Sequence, residues 1–381
     1  GSVDVNVQDN ITNWNVQGHP VWSMPEFNIA QGSTYNIAGL GSGASLALLV
    51  NGGHASNIFG TMNLSNLDFI LQNIAGINIG SSAMINVNNA SLIASTLPLN
   101  LSATDFFNRQ YAFEGKGGFL LNEGKIVGSN ADLVALVGNA IENRGVIEVP
   151  MGTVALAAGD TVAVGISPDG LVTIGVDAAT ANELGLKDQI KNSGTITANG
   201  GRVVLNAKAI DGLFDKAIHI EKNANAVTAI RADDGSIEFE SMEDVYNNAI
   251  IEAMNGQIKI ESTKGNVTNA GTLKAEGGSL EIATTGDVEN PGTIFAKTFR
   301  EHGYTFRSTG TLKGGDVYMD NTDGAGFLSG TLASNVTDAG TITVNGNITL
   351  SDDITITAGA AFSMGQDYTI TGGGNDLTIS A

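Results

Sequence analysis

The chain has 381 residues, of which 42% are hydrophobic, 50 are Gly, 6 are Pro and none is Cys. Its formal net charge is −21 and its 18 Lys and Arg form no basic cluster, so nucleic acid and anionic membrane surfaces are poor candidate partners. Without Cys there is no disulfide or thiolate metal site, and the high Gly content predicts strands joined by turns with positive φ.

No targeting or membrane-spanning segment is evident in the sequence. The chain has no apolar run of about 18 residues, so we expect no membrane-spanning helix. The first residues show no charged region followed by an apolar one. We therefore expect any export signal peptide to have been removed already.

The first 30 residues contain Trp14, Trp22 and Phe27 but no copy of the repeat that recurs farther along the chain. A stack of strands has open ends, and exposed edge strands promote aggregation. We therefore expect residues 1–30 to form an N-terminal β cap.

The stretch from Leu48 to Val87 alternates short apolar runs with Asn and Gly, and it contains no Lys, Arg or Cys. The apolar runs are too short for helices, and Asn and Gly favour turns. We expect inward-facing strands joined by turns, as in successive coils of a solenoid.

Three segments interrupt the strand pattern. They are SATDFFNRQYAF from Ser102, DAATANELGLKDQI from Asp177 and NAKAIDGLFDKAIH from Asn206. The first predicts a loop or a short helix, and the helix-forming residues of the other two predict short helices. We expect all three to lie outside the coils.

A short phrase, in which Gly precedes an alternating apolar run, recurs in the chain. Its six copies are NRGVIEV at Asn143, NSGTITA at Asn192, NAGTLKA at Asn269, NPGTIFA at Asn290, STGTLKG at Ser308 and DAGTITV at Asp338. Two longer copies, from Gly265 and Gly286, align without a gap at an offset of 21 residues. A period of about 20 residues predicts an all-β fold, a right-handed parallel β-helix. A β-sandwich would not keep such a period in its turn chemistry.

The recurring Asn of this phrase has a structural explanation. At a turn its side-chain amide can bond its own backbone, and in a stack it can bond the equivalent Asn of the next coil. We expect residues 31–230 to form the coil core together with the extra segments, and residues 231–381 to continue the repeats.

Residues suited to catalysis or metal binding form no recognisable motif. The four His are not at metal-ligand spacing: His19, His54, His219 and His302. Two acid pairs, Asp233 with Asp234 and Asp352 with Asp353, could serve a β-helical enzyme, but such pairs also occur at turns. The nine-residue Ca²⁺ repeat is not present in series. We expect no catalytic residue, metal or cofactor, and keep a polysaccharide-active enzyme or a glycan-binding protein as alternatives.

Five phrases of the chain, taken in their order, indicate a family more specifically than the repeat does. They are ITNWNVQGHPVWSMPEFNIAQGSTYNI from Ile11, VNGGHASNIFG from Val50, FILQNIAGINIGSSAMINVNNASLIASTL from Phe69, LVALVGNAIENRGVIEVPMGTVALAAGDTV from Leu133 and IKNSGTITANGGRVVLNAKA from Ile190. Together they resemble the N-terminal secretion domain of the two-partner secretion exoproteins, the filamentous haemagglutinin-like adhesins. The resemblance covers about residues 5–230.

This resemblance implies two groups of site residues. NIAGI lies where the family has Asn-Pro-Asn-Gly-Ile, so Asn73, Gly76 and Ile77 carry over as a secretion and folding motif. Ile74 and Ala75 depart from it; because Gly76 permits positive φ, we expect a turn nevertheless. VNGGHASNIFG resembles the family's Gly-Gly-x-x-Ser-x-Ile-x-Gly element. It implies a transporter-recognition region that consists of Asn51, Gly52, Gly53, Ser56, Ile58 and Gly60.

The resemblance also implies a function in the export of a large adhesin. A cognate outer-membrane transporter of the Omp85 type would bind this domain through periplasmic recognition domains and thread the chain to the surface of a Gram-negative bacterium. The domain would then nucleate folding outside the cell. Downstream regions would bind host or neighbouring-cell receptors, and we expect the chain to be a monomer and not an enzyme.

Overall fold

The computed structural model describes residues 1–100, 106–224, 227–321 and 325–381. Its residue contacts divide the chain into two units, Gly1–Ala217 and Ile218–Ala381. The elements described in both units are strands. Among the described residues, no helix is long and apolar enough to cross a membrane.

The first unit contains twenty-four strands that precede its boundary. They are β1 (Ser2–Gln8), β2 (Ile11–Gln17), β3 (Val21–Met24), β4 (Thr34–Leu40), β5 (Ala44–Val50), β6 (Ser56–Ile58), β7 (Thr61–Ser65), β8 (Leu67–Asn73), β9 (Ile77–Ile79), β10 (Met84–Asn88), β11 (Ser91–Ser95), β12 (Leu99–Asn100), β13 (Gln110–Glu114), β14 (Leu120–Asn122), β15 (Lys125–Ser129), β16 (Leu133–Gly138), β17 (Ile141–Asn143), β18 (Val146–Glu148), β19 (Thr153–Ala158), β20 (Thr161–Ile166), β21 (Val172–Ala178), β22 (Asp188–Asn192), β23 (Thr195–Thr197) and β24 (Arg202–Ala207).

Strand β25 (Lys216–Ile220) contains the boundary between the units. The second unit continues with β26 (Ile230–Arg231), β27 (Ser236–Ser241), β28 (Val245–Asn247), β29 (Ile250–Glu252), β30 (Gln257–Ser262), β31 (Val267–Asn269), β32 (Thr272–Thr284), β33 (Val288–Asn290), β34 (Thr293–His302), β35 (Phe306–Ser308), β36 (Thr311–Met319), β37 (Ala325–Asp338), β38 (Thr341–Leu350), β39 (Ile354–Ala358), β40 (Ala361–Met364), β41 (Ile370–Thr371) and β42 (Leu377–Ser380).

Most strands of the first unit form three parallel ladders, to which successive coils contribute one strand each. Ladder A contains β2, β4, β7, β10, β15, β18 and β23. Ladder B contains β3, β5, β8, β11, β16, β19 and β24. Ladder C contains β6, β9, β14, β17 and β22. This arrangement is a parallel β-helix, as the repeat predicts.

The second unit has the same parallel pairing but longer strands. Strands β28, β31, β33 and β35 form one ladder. Strand β32 pairs with β29 through its first residues and with β30 through its last, and its pairing with β34 shifts register between Ala275 and Ser279. Strand β32 therefore bends, so that its two ends belong to different faces of a coil.

The N-terminal end of the first unit differs from the coils that follow. Strand β1 pairs antiparallel with β2, in contrast to the parallel ladders. Trp14 and Phe27 are buried, and their ring centroids lie 5.6 Å apart. Trp22 and Tyr35 also contact Trp14, at 5.2 and 5.7 Å. The aromatic residues of this region thus pack together. The domain boundaries at residues 30 and 230 stay a prediction.

Two insertions between the coils of the first unit form a separate sheet. Strands β12, β13, β20 and β21 pair antiparallel in that order, and we call them the cover sheet. Their inward side chains, among them Phe113 and Val164, pack on Ile70, Ile93 and Ala135 of ladder B. Strands β8, β11, β16 and β19 are consequently buried on both faces.

The prediction of short helices from Asp177 and Asn206 is wrong. Residues 177–190 and 206–219 contain no helix; they form strand ends and irregular backbone. Gly185 and Gly212 have φ of 70° and 76°, which interrupts helical backbone.

The apolar residues of these two segments pack outside the coils instead, as expected. Leu184, Leu186, Leu213 and Phe214 belong to one apolar cluster with the buried Ala140 and Ala209. Of the loop or helix predicted from Ser102, the residues up to Asp105 lie outside the described residues. Residues 106 and 107 have helical backbone, and β13 follows.

The Gly of the recurring phrase has a different role from the one we predicted. Gly145, Gly194, Gly271, Gly292 and Gly310 do not have positive φ. A Cβ on each would lie 1.9 to 2.1 Å from a backbone oxygen of the preceding coil. The coils therefore approach so closely at these turns that only Gly fits.

The predicted role of the Asn in this phrase is confirmed. In the first unit, Asn122 Nδ2 donates to Asn143 Oδ1 and Asn143 Nδ2 donates to Asn192 Oδ1, each at 2.7 Å. In the second unit, Asn269 accepts such a bond from Asn247 and donates one to Asn290, each at 2.8 Å. These side chains are buried, so the ladders satisfy polar groups inside the coil stack.

Candidate functional site

The turn from Asn73 to Gly76 joins strands β8 and β9. The Asn73 carbonyl accepts a hydrogen bond from the Gly76 N–H at 3.1 Å, and Asn73 Oδ1 accepts one from the Ala75 N–H at 2.9 Å. One asparagine thus closes the turn through its backbone and its side chain. The turn forms although Ile74 and Ala75 replace the Pro and Asn of the resembled motif.

The amide group of Asn73 also binds the preceding coil. Asn73 Nδ2 donates to the His54 carbonyl at 2.9 Å and to Ser56 Oγ at 3.0 Å. Asn73 is only 1% exposed. Its side chain therefore links two coils inside the stack, where water cannot replace the lost bonds.

Gly76 and Ile77 continue this link on the backbone. Gly76 has φ 127°, a conformation unfavourable to residues with a side chain, and its carbonyl accepts a bond from the Ser56 N–H at 3.0 Å. Ile77 is buried and pairs with Ser56 on one side and Leu120 on the other. The motif therefore lies between two neighbouring coils.

The segment from Asn51 to Gly60 is held against the coil before it. The Gly52 N–H donates to the Pro25 carbonyl at 2.9 Å, and a Cβ on Gly52 would lie 2.1 Å from that oxygen. Gly60 likewise donates to the Ile29 carbonyl at 3.1 Å, and a Cβ there would lie 2.4 Å from the Ala30 oxygen. Close approach therefore accounts for Gly at both positions.

Exposure differs within this segment. Asn51 and Gly53 are exposed, and Gly53 has φ 81° with open space around it. Ser56 and Ile58, in contrast, are 1% and 0% exposed. A partner of the folded chain could therefore reach only the tip of this segment.

The structure brings the two predicted groups of site residues together. Strand β6, with Ser56 and Ile58, pairs in parallel with β9, which begins at Ile77. The Asn73 amide bonds both His54 and Ser56 across the same junction. Since Asn73, Ile77, Ser56 and Ile58 are all buried, a partner can reach these side chains only before folding.

A second polar cluster was not anticipated from the sequence. Arg109, at the start of the cover sheet, donates to Asp68 through Nε at 2.7 Å and Nη2 at 2.9 Å. Nη2 also donates to Asp132 at 2.9 Å, and the Tyr111 hydroxyl donates to Asp68 at 3.1 Å. Asp68, Arg109 and Asp132 line an open cleft of about 570 Å³. The one available signal was that Arg109 is the first basic residue of the chain.

Arg109 and Tyr111 both keep their protons near neutral pH. Burial opposes the charge of Arg109, but the hydrogen bonds and charges of Asp68 and Asp132 outweigh it and raise the pKa of the guanidinium. Burial, and then the charge of Asp68, raise the pKa of the Tyr111 phenol well above its ordinary value of about 10. Arg109 therefore stays charged, and Tyr111 stays a donor.

The acid pairs considered for an enzyme lie at turns. Asp233 Oδ1 accepts a bond from the Met254 N–H, and Asp234 Oδ1 accepts one from the Asn255 amide. Asp352 and Asp353 accept backbone N–H bonds in the same way. Within the described part of the chain, no three His, Asp or Glu side chains are grouped to hold a metal ion.

Comparison with known proteins finds similar secretion domains. The family profile of the TPS secretion domain matches residues 4–252. The crystal structure of the HMW1 secretion domain from Haemophilus influenzae is 20% identical, with a TM-score of 0.59, over 100% of this chain and 97% of that chain. A crystal structure of a filamentous hemagglutinin secretion domain is 12% identical, with a TM-score of 0.39, over 100% and 98%. No curated protein sequence matches.

The family match includes both predicted groups of site residues, since Asn51 and Ile77 lie well inside residues 4–252. The likeness to the HMW1 secretion domain, at low identity, shows a shared fold. The resemblance found in the sequence is therefore confirmed, and with it a role in secretion. The chain belongs to the TPS secretion domain family.

Proposed function

We propose that this domain directs export of its chain by being bound, while unfolded, by the periplasmic domains of an Omp85-type outer-membrane transporter. The observation that carries this proposal is burial. Ser56, Ile58, Asn73 and Ile77 are each no more than 1% exposed in the fold. A transporter that reads these residues has to meet the chain before the coils form.

Folding after passage completes the proposed function. The extended chain crosses the periplasm without forming crosslinks, because it has no Cys. Outside, each coil adds its strands in parallel to the coil before it, as β9 adds to β6 and β14 adds to β9. Burial of apolar surface contributes about 25 cal/mol per Å², so successive coils favour outward movement. The product is secreted or displayed on a Gram-negative cell.

The proposal is tested with Asn73→Ala and a matched control, Asn122→Ala. Asn122 is also fully buried, also bonds a neighbouring coil through Nδ2, and also accepts a bond from its own turn, the Gly124 N–H. Both substitutions therefore weaken the folded state by the same mechanism. Only Asn73 belongs to the predicted secretion and folding motif.

Two measurements separate the variants. In the first, urea-denatured chains bind immobilised periplasmic domains of the transporter encoded beside this gene. We expect Asn73→Ala to weaken binding by about tenfold, equal to about 1.4 kcal/mol, and Asn122→Ala to leave it unchanged. In the second, secretion from cells is followed over time, and Asn73→Ala is the slower variant. Equal binding and equal export by the two variants would remove Asn73 from the recognition site.

A further inference from the structure

The Arg109 cluster joins parts of the chain that are far apart in sequence. Asp68 belongs to β8 and Asp132 immediately precedes β16, and β11 lies between these two strands in ladder B. Arg109 bonds both carboxylates, 41 and 23 residues away. One guanidinium from the cover sheet therefore spans three successive coils.

The charge of the Asp68 carboxylate is compensated by the Arg109 guanidinium. Its side chain is 9% exposed, and both of its oxygens accept bonds from Arg109. A buried carboxylate that loses its cation is strongly destabilising, because no positive charge compensates for its reduced hydration. Tyr111 supplies one further bond but no positive charge.

In a chain that folds from its N-terminus, the order of Asp68 and Arg109 in the sequence determines which of the two is placed first. No Lys or Arg precedes Arg109, whereas Asp68 lies well before it. A chain that folds from its N-terminus therefore places Asp68 in a coil before any arginine or lysine is available to pair with it. The same coils also expose the outer apolar side chains of Ile70 and Ile93 until the cover sheet has packed against them.

The backbone at Arg109 is fixed for this contact. Arg109 has φ 56°, which is uncommon for a residue other than Gly, and its N–H donates to the Phe106 carbonyl at 3.2 Å. This tight turn directs the side chain to Asp68 and leads into β13. Such a conformation persists where surrounding contacts hold it.

We propose that Arg109 is a folding clasp: the first coils become stable only when Arg109 and the cover sheet have joined them. The proposal rests on the proposed function, in which the coils form one after another outside the cell. It assigns the completion of the N-terminal nucleus to residues 106–178 rather than to the first coils alone. The first coils therefore stay incompletely folded until Arg109 is available to join them.

The full-length chain allows a test by refolding. Arg109→Gln removes the cation, and Lys259→Gln is the control, because Lys259 pairs with Glu261 at a site where the two side chains are 42% and 43% exposed. After dilution from urea, pulsed hydrogen exchange measures how fast β8 and β11 become protected. We expect Arg109→Gln to slow this protection about tenfold, with a smaller effect on the unfolding rate. Lys259→Gln should change either rate by less than about twofold.

A rescue variant distinguishes a clasp from a merely destabilised fold. Asp68→Asn combined with Arg109→Gln removes the unpaired charge, and we expect it to restore the protection rate of β8 to near that of the wild type. If Arg109→Gln accelerates unfolding and leaves the protection rate unchanged, the clasp closes late and the proposal is wrong. Failure of the rescue likewise contradicts it. Binding of the denatured variants to the transporter domains, measured in parallel, tests the proposed function separately, since Arg109 lies outside both site groups.

Discussion

Substitution of Gly194 by Ala tests the explanation for the Gly of the recurring phrase. A Cβ at this position would lie 2.1 Å from the Gly145 oxygen and 2.7 Å from the Arg144 carbonyl carbon. Both contacts are with backbone, so the two coils would have to separate. Separation would weaken the bonds from the Gly194 N–H to the Asn143 oxygen and from the Thr195 N–H to the Gly145 oxygen, now 3.0 and 2.9 Å.

The expected loss follows from these contacts. Overpacking costs about 1–3 kcal/mol, and two weakened hydrogen bonds add about 1 kcal/mol each. The reduced entropy of the unfolded chain offsets about 0.4–1 kcal/mol of this loss. We expect Gly194→Ala to lower the free energy of unfolding by about 3 kcal/mol, or Tm by about 6–12 °C.

Gly175→Ala is the matched control for this measurement. Gly175 lies in the cover sheet of the same unit, has no positive φ, and would place its Cβ 3.8 Å from Asp177. We expect its free energy of unfolding in urea to stay within about 0.5 kcal/mol of the wild type. If Gly194→Ala is as mild as the control, close approach of the coils does not explain the repeated Gly.

Two further predictions concern buried polar groups. Asn143→Ala leaves the Asn122 amide and the Asn192 carbonyl oxygen without partners, and we expect it to cost about 2–4 kcal/mol in urea unfolding. If Asn143→Ala lowers the free energy of unfolding by no more than substitution of an exposed Asn, the buried Asn–Asn hydrogen bonds do not stabilise the coil stack. The raised pKa of Tyr111 means that the folded chain resists its ionisation. Stability is therefore present below the unfolded pKa of about 10 and falls as pH rises above it, and Tyr111→Phe should reduce that fall in alkaline urea titrations.

The coil stack was predictable because its signals are local. The phrase that recurs at Asn269 and Asn290 carries a turn, a strand and a fixed period within a few residues. The Asn contacts followed from that period alone, since equivalent residues of stacked coils must meet. The role of Gly194 did not, because the sequence does not show how closely two turns approach.

The cover sheet was missed because its pairing is non-local. Strand β13 pairs with β20, so Tyr111 meets Val164 from a distant part of the chain. The helix-forming residues between Asp177 and Ile190 suggested helices, but packing on the coils overrode that preference. A signal was present: the unbroken apolar runs of β16 and β19 indicate burial on both faces, and hence a covering layer.

The Arg109 cluster and the junction of the two site groups also needed the fold. Arg109 and Asp68 are 41 residues apart, and no motif marks them as partners. Asn73 and Ser56 were both identified from the resemblance, but the bond between their side chains depends on the register of ladder C and of the turn before it. For Asn73 and Ser56 the residues could be predicted, but the contact between their side chains could not.

The affinity of the transporter's periplasmic domains for folded and unfolded chain tests the central claim most directly. The wild-type chain is compared in its native state and freshly denatured in urea, at equal final urea concentration, before refolding begins. Because Asn73, Ser56 and Ile77 are buried in the fold, we predict binding of the denatured chain and at least about tenfold weaker binding of the native chain. Equal or tighter binding of the native chain would contradict recognition before folding.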